Sequence, residues 1–125
     1  MPYGTIYSDT VQGSVAATAP VFSDGNGTQV GQLTKAWGNH SGGAPPTTRA
    51  SFNISSITRT ATGSYTMVFT IAVSDSNFAV AGGSDGSGMT YSPATTVSTT
   101  SFTSIVGRAS EGNYDRTYVH FVVNR

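Results

Sequence analysis

The sequence predicts an all-β protein: an antiparallel β-sandwich preceded by an extended N-terminal arm. Three observations predict it. Residues 65–73 alternate strictly, with Tyr65, Met67, Phe69, Ile71 and Val73 on one side and Thr66, Val68, Thr70 and Ala72 on the other. That is the period-2 signature of a strand with one face in a core. Turn signals rich in Gly, Ser, Asn and Asp recur about every ten residues, as between the short strands of a sandwich. Finally, Gly, Ser and Thr interrupt the chain so often that no window sustains apolar residues at helical spacing.

The 125 residues suffice for one domain. Residues 1–33 have too few large apolar side chains for a core of their own. They read as the arm, with residues 3–11 a candidate strand and residues 16–20 and 24–27 turn or linker; the alternative is an extra edge strand of the main sheet. Residues 34–125 read as the sandwich. Residues 52–57 form a strand, residues 60–64 join it to the strand at 65–73, and Gly63 is available for a positive φ. Short strands follow at 77–81, 95–99 and 102–108, separated by residues 82–88 and 110–115. The last strand, 117–123, carries Thr117, Val119, Phe121 and Val123 on one face and Tyr118, His120 and Val122 on the other. Being apolar on both faces, it is expected at the centre of a sheet or at an oligomer interface, with Tyr118, His120 and Val122 the interface residues.

Composition narrows the function classes. Lys plus Arg and Asp plus Glu number six each, so the net charge is zero and charged residues are only 10% of the chain. Such a chain has no broad electrostatic attraction for nucleic acid or anionic membrane, and little of the charge repulsion that keeps monomers apart. Without cysteine, neither disulfides nor thiolate metal sites are available. Oligomerisation is then the expected source of extra stability for a small extracellular domain. The N-terminus has neither the basic start nor the apolar stretch of a secretory leader. No run reaches the roughly 18 apolar residues of a membrane helix. The Asn-X-Ser/Thr matches at Asn26, Asn39 and Asn53 read as chance in a Ser/Thr-rich chain.

Candidate chemistry is sparse. Gly82-Gly83-Ser84-Asp85-Gly86 matches G-x-S-x-G, but no helix pattern follows it, and a nucleophile elbow needs one. Asp24-Gly25-Asn26-Gly27 resembles the start of a calcium loop but lacks the later acidic ligands, so a turn is expected. The other carboxylates, Asp9, Asp75, Asp85, Glu111 and Asp115, fall mostly at turn positions, where Asp caps backbone groups. Nothing pairs two of them for glycoside cleavage. His40, in the Gly-rich turn after Trp37, is expected to be exposed, and His120 to be a satisfied or interface residue. No cofactor or metal is expected. The one arrangement that could supply a metal site is a histidine from each chain meeting on a trimer axis. Trp37 reads as core or interface, with sugar stacking as the alternative. Residues for receptor contact are sought in the loops: Asp85, Met89, Tyr91, Asn113, Tyr114 and Asp115, because aromatics and amides in Gly-rich loops are typical contact chemistry. Tyr91 and Tyr114 could instead cover strand ends.

One stretch carries recognisable wording. Lys35-Ala36-Trp37 and an Asn/Gly-rich turn precede Arg49, Ser51-Phe52-Asn53, Ser55-Ser56-Ile57-Thr58, Gly63, Tyr65-Thr66, Phe69-Thr70 and Asn77-Phe78-Ala79-Val80. This resembles a module of tail-fibre and other virion appendage proteins of bacteriophages, especially those of cyanobacteria and marine bacteria. The resemblance covers residues 34–125 and, loosely, the arm from Gly4 to Val11. The chain departs from the pattern at residues 41–48, where Pro45-Pro46 implies a rigid loop.

The resemblance implies a non-enzymatic virion structural protein on the exterior of the particle. It would be a homotrimeric tail-fibre knob that attaches to a host-surface glycan or protein and contacts other virion proteins through its arm. No nucleic-acid partner and no membrane insertion are expected. The runner-up is a capsid decoration protein, favoured by the absence of a shaft or tail-attachment segment in 125 residues. A tailspike-like glycan hydrolase is the weakest reading.

Overall fold

The computed structural model of the protein describes residues 8, 10–12, 20–86, 90–108 and 112–125. The chain divides into two compact units, Met1–Leu33 and Thr34–Arg125.

In the first unit, β1 (Val21–Ser23) pairs antiparallel with β2 (Gln29–Gln32) in a two-stranded sheet of its own. The arm is thus folded back as a hairpin over these residues. It is not extended there, nor is it an edge strand of a larger sheet. Asp24 turns the chain: its Oδ1 accepts from the Asn26 and Thr28 amides, each at 2.9 Å, and Gly27 takes φ 83°. This is the turn expected in place of a calcium loop. The candidate strand at 3–11 lies outside the described residues but for Ser8, Thr10 and Val11.

The second unit is an all-β sandwich of two antiparallel sheets, with no helix among the described residues. Its strands are β3 (Ala36–His40), β4 (Thr48–Phe52), β5 (Ile54–Ala61), β6 (Ser64–Phe69), β7 (Ala79–Ser84), β8 (Thr90–Val97), β9 (Ser101–Arg108), β10 (Gly112–Asn113) and β11 (Val119–Asn124). One sheet runs β4-β3-β11-β7. In the other, β9 lies between β8 and β6, β5 pairs with β6, and β10 pairs with β9 beyond the end of β6. The expected central position of the last strand holds, since β11 pairs with β3 on one side and β7 on the other.

The core follows the period-2 stripes. Tyr65, Met67 and Phe69 from β6 and Phe102 and Val106 from β9 face Ala36 from β3 and Val119, Phe121 and Val123 from β11. Phe102 is the aromatic hub, with its ring centre 5.3 Å from Phe121, 5.7 Å from Phe69 and 6.1 Å from Phe78. Tilted and edge-on contacts of this kind contribute beyond area burial alone. Gly38 gives Phe121 its place, because a Cβ there would come within 2.7 Å of the Phe121 ring.

Two expectations fail for one reason. The strand expected over 52–57 is split at Asn53, which takes φ 57° and passes the chain from one sheet to the other. The strand expected to reach Val73 ends at Phe69, and Ile71, assigned to the core stripe, is 60% exposed. Asn53 causes both. Its Nδ2 donates to the carbonyls of Lys35 (3.0 Å) and Ile71 (3.1 Å), and its Oδ1 accepts from the Ile71 amide (2.7 Å). The backbone after Phe69 is captured by a side chain instead of continuing along the ladder.

Candidate functional site

On the four-stranded sheet, residues alternate between core and outside. Ala36, Gly38 and His40 of β3 face inward, so Trp37 and Asn39 face out. On β11, Val119, Phe121 and Val123 face inward, leaving His120 and Val122 outward, with Tyr118 preceding them on that side. Register aligns the outward residues in rows: Phe52, Trp37, Val122 and Ala81, then Ala50, Asn39, His120 and Gly83. At ordinary interstrand spacing each row spans about 14 Å.

This face carries exposed aromatic area. Trp37 is 40% exposed, Phe52 54% and Tyr118 50%. Trp37 is therefore not a core residue. The polar residues of this face include Asn39, His120 and Arg49. A register shift between Asn39 and His40 sets Arg49 opposite neither residue. The guanidinium stacks 4.1 Å from the Tyr118 ring centre and donates to the Thr117 carbonyl (2.6 Å) and to Asn39 Oδ1 (3.4 Å). The β7 side of the face is low, carrying Ala79, Ala81 and Gly83. His120 lies over Gly83, where a Cβ would approach Nε2 to 3.0 Å.

The residues expected to contact a receptor fare differently. Met89 lies outside the described residues. Tyr91 is turned into the sandwich against Gly82, and burial pushes its hydroxyl pKa up to about 12. It is a packing residue because Gly82 leaves room for its ring. Asp85 is committed to the backbone: its Oδ1 accepts from the Tyr118 amide (2.9 Å) and its own amide donates to the Tyr118 carbonyl (3.0 Å). Asn113 is exposed in β10. Tyr114 is half-buried, with the Arg116 guanidinium 5.3 Å from its ring centre.

Asp115 is the centre of a polar cluster. It receives Arg59 Nε at 2.9 and 3.0 Å, the Gly63 amide at 2.8 Å and the Tyr65 hydroxyl at 2.8 Å. Arg59, then the Gly63 amide and Tyr65, hold its carboxyl down at about 2, against an opposing effect of burial. Burial, reinforced by Asp115, raises the Tyr65 hydroxyl well above its usual range. Gly63 takes the positive φ (66°) expected of it.

His40 corrects an expectation outright. It is fully buried in β3, not exposed in a turn, and its ring meets Tyr65 edge-on at 4.8 Å. A carbonyl can only accept, so Nδ1 carries the proton and donates to the Ser41 carbonyl (2.9 Å), while Nε2 is buried with no hydrogen-bond partner among the described residues. Burial lowers its pKa below 6.5. Sequence reasoning missed this because the small residues around it, Gly38, Ser41, Gly42 and Gly43, read as a turn.

A shallow depression of about 280 Å³ lies between Ala44, Pro45 and Pro46 and the Ile57–Arg59 edge. Arg59 is already held by Asp115 and Thr62. Among the described residues, no group of three or more His, Asp or Glu is arranged to hold a metal ion. No described helix is long and apolar enough to cross a membrane.

Comparison with protein-family models, with curated proteins and with solved structures found no match. Fold and site define the class: an all-β sandwich module with an aromatic outward face on its four-stranded sheet.

Proposed function

We propose that the chain is a non-enzymatic attachment module of a bacteriophage virion, the knob of a tail fibre, which works as a homotrimer on the particle exterior and contacts the host surface. The observation that carries the attachment part is the outward display of Trp37, Phe52 and Tyr118 on one sheet face. Exposed aromatic side chains gathered on one face of a small domain mark an interaction surface. The non-enzymatic part draws support from the carboxylates. Asp24, Asp75, Asp85 and Asp115 each cap a backbone amide, which leaves them structural work. The phage assignment draws on the sequence resemblance over residues 34–125. Three copies would multiply individually weak contacts into avidity.

A second reading, a capsid decoration protein, is favoured by one observation. Among the described residues of the first unit, Val11, Phe22, Val30 and Leu33 are 44–67% exposed, as expected of an arm that docks on a neighbouring subunit. Immunogold labelling of virions of the encoding phage separates the two. Label at fibre tips, with competition of phage adsorption by the isolated protein, is the expected result. Label over the head assigns decoration, and virions lacking the protein overturn both. Light scattering should give three times the 12.9 kDa chain mass; a monomer at micromolar concentration sinks the trimer.

A further inference from the structure

We propose that the outward face of the four-stranded sheet is a binding platform for an acidic glycan, one whose sugars carry carboxylates. This deepens the attachment reading and rests on it for its biological meaning. It also moves the contact surface from the loops to a sheet face.

Three features point to this ligand. The first is the mixture of groups. The C–H face of a pyranose ring packs on an aromatic π-face while its hydroxyls need donors and acceptors. The face supplies exposed Trp37, Phe52 and Tyr118, interleaved with Asn39, His120 and Arg49. The second is shape. Ala50 beside the aromatics and Ala79, Ala81 and Gly83 across the sheet keep the floor low, so an extended chain of sugars can lie along a row about 14 Å long.

The third is charge. Arg49 brings a guanidinium to this face, fixed over Tyr118. Arg49 has a ring, a carbonyl and an amide oxygen as partners, and among the described residues no carboxylate pairs with it. Neither outward row contains an acid. Asp85, at the end of β7, is turned onto the Tyr118 amide. The other acids of the sandwich that the structure describes are spoken for as well: Asp75 pairs with Arg125 and Asp115 with Arg59. Arg49 is held in place by Tyr118 and Thr117 with N–H donors to spare, which pre-organises it to receive a carboxylate through paired hydrogen bonds. Trp37 and Phe52, paired across β3 and β4, then stack the sugar rings that follow to one side of that anchor.

Trp37 is the chain's single tryptophan, so its fluorescence reports on the face directly. The full chain is titrated with alginate oligosaccharides and with polygalacturonate, and with dextran as the neutral probe. A saturable change in emission with the acidic probes is expected, weakened by added salt and at least tenfold stronger than with dextran. In affinity electrophoresis, Trp37→Ala and Phe52→Ala should each weaken binding at least tenfold. Arg49→Gln should lose most of the preference for acidic over neutral sugar, and Thr96→Ala, exposed on β8 of the other sheet, should bind as the parent. Circular dichroism melting checks that each variant is folded; the two aromatics are half-exposed, so a variant lost to misfolding leaves the other and Arg49→Gln to decide. Absence of binding to both acidic probes overturns the proposal, as does binding unchanged by all three face variants. It also falls if the face variants convert an oligomer to a monomer, which would make the face an interface between copies. The two readings fail separately. Cells that retain the Trp37→Ala protein like the parent sink the platform and spare attachment. Trp37-dependent binding of alginate by a protein absent from virions sinks the virion assignment and spares the platform.

Discussion

At the scale of single residues, two buried or part-buried titratable groups tie stability to pH in separate windows. His40 is held neutral in the core, with a pKa below its ordinary value of 6.5. The unfolded chain therefore binds a proton that the folded chain refuses. Stability is full above about pH 6.5 and declines as pH falls below it. Urea-unfolding midpoints measured from pH 7.5 to 5 should fall, and His40→Leu, which fills similar space without titrating, should flatten that decline; an unchanged slope would remove His40 as its cause. Asp115 has the opposite chemistry. Its carboxyl is depressed to about 2, so its contribution is present above the ordinary carboxylate pKa near 3.8 and is lost as pH falls towards 2. Asp115→Asn gives up the charge on Arg59 and weakens the bond from Tyr65. Because the pair is partly solvated, a loss of about 1 kcal/mol is expected at pH 7. Little further loss should appear between pH 4 and 2, where the parent declines on its own.

At the scale of elements, the Asn53 corner decides which sheet each strand joins. One residue ends β4, begins β5 and stops β6 from running on, through a left-handed backbone and three side-chain hydrogen bonds. Asn tolerates that conformation better than most residues, and glycine better still. Asn53→Ala loses the bonds and retains a strained Cβ, so a cost of about 2–3 kcal/mol is expected. Asn53→Gly loses the same bonds without the strain and should cost about 1 kcal/mol less. Guanidinium unfolding of both variants checks the order, and equal losses would mean the backbone conformation is not strained. The β3–β4 connection shows how a loop can serve an element: Ser41 Oγ accepts from the Thr47 amide and the Ser41 amide donates to the Thr47 carbonyl, both at 2.9 Å. These bonds close the turn around Pro45-Pro46, where a rigid loop was expected.

At the scale of the molecule, the ten buried hydrophobic residues among those described lie between Ala36 and Val123. Every strand pair of the sandwich is likewise internal to Thr34–Arg125. The second unit should therefore fold without the first. A chain of residues 34–125 is expected to melt cooperatively within a few degrees of the full chain, by circular dichroism. Loss of the cooperative transition would show that the first unit contributes to folding.

The all-β class, the central last strand, the Gly63 turn and the Asp24 turn were legible in the sequence because each rests on local chemistry: alternation, Gly at a positive φ, Asp capping backbone amides. The strand partition around Asn53 was not, since an Asn inside an alternating run differs from a corner only when Lys35 and Ile71 come within reach of its amide. The site was legible in part. Tyr118, His120 and Val122 were identified as one face from their spacing, but Trp37, Phe52 and Arg49 join them only through register with two other strands. Tyr91, sought at the surface, is drawn inward by the space that Gly82 leaves on a strand paired elsewhere. Periodicity along one strand determines which residues share a side. Which side meets the core, and which neighbours complete a surface, depends on contacts between residues far apart in the chain, and those only the tertiary structure decided.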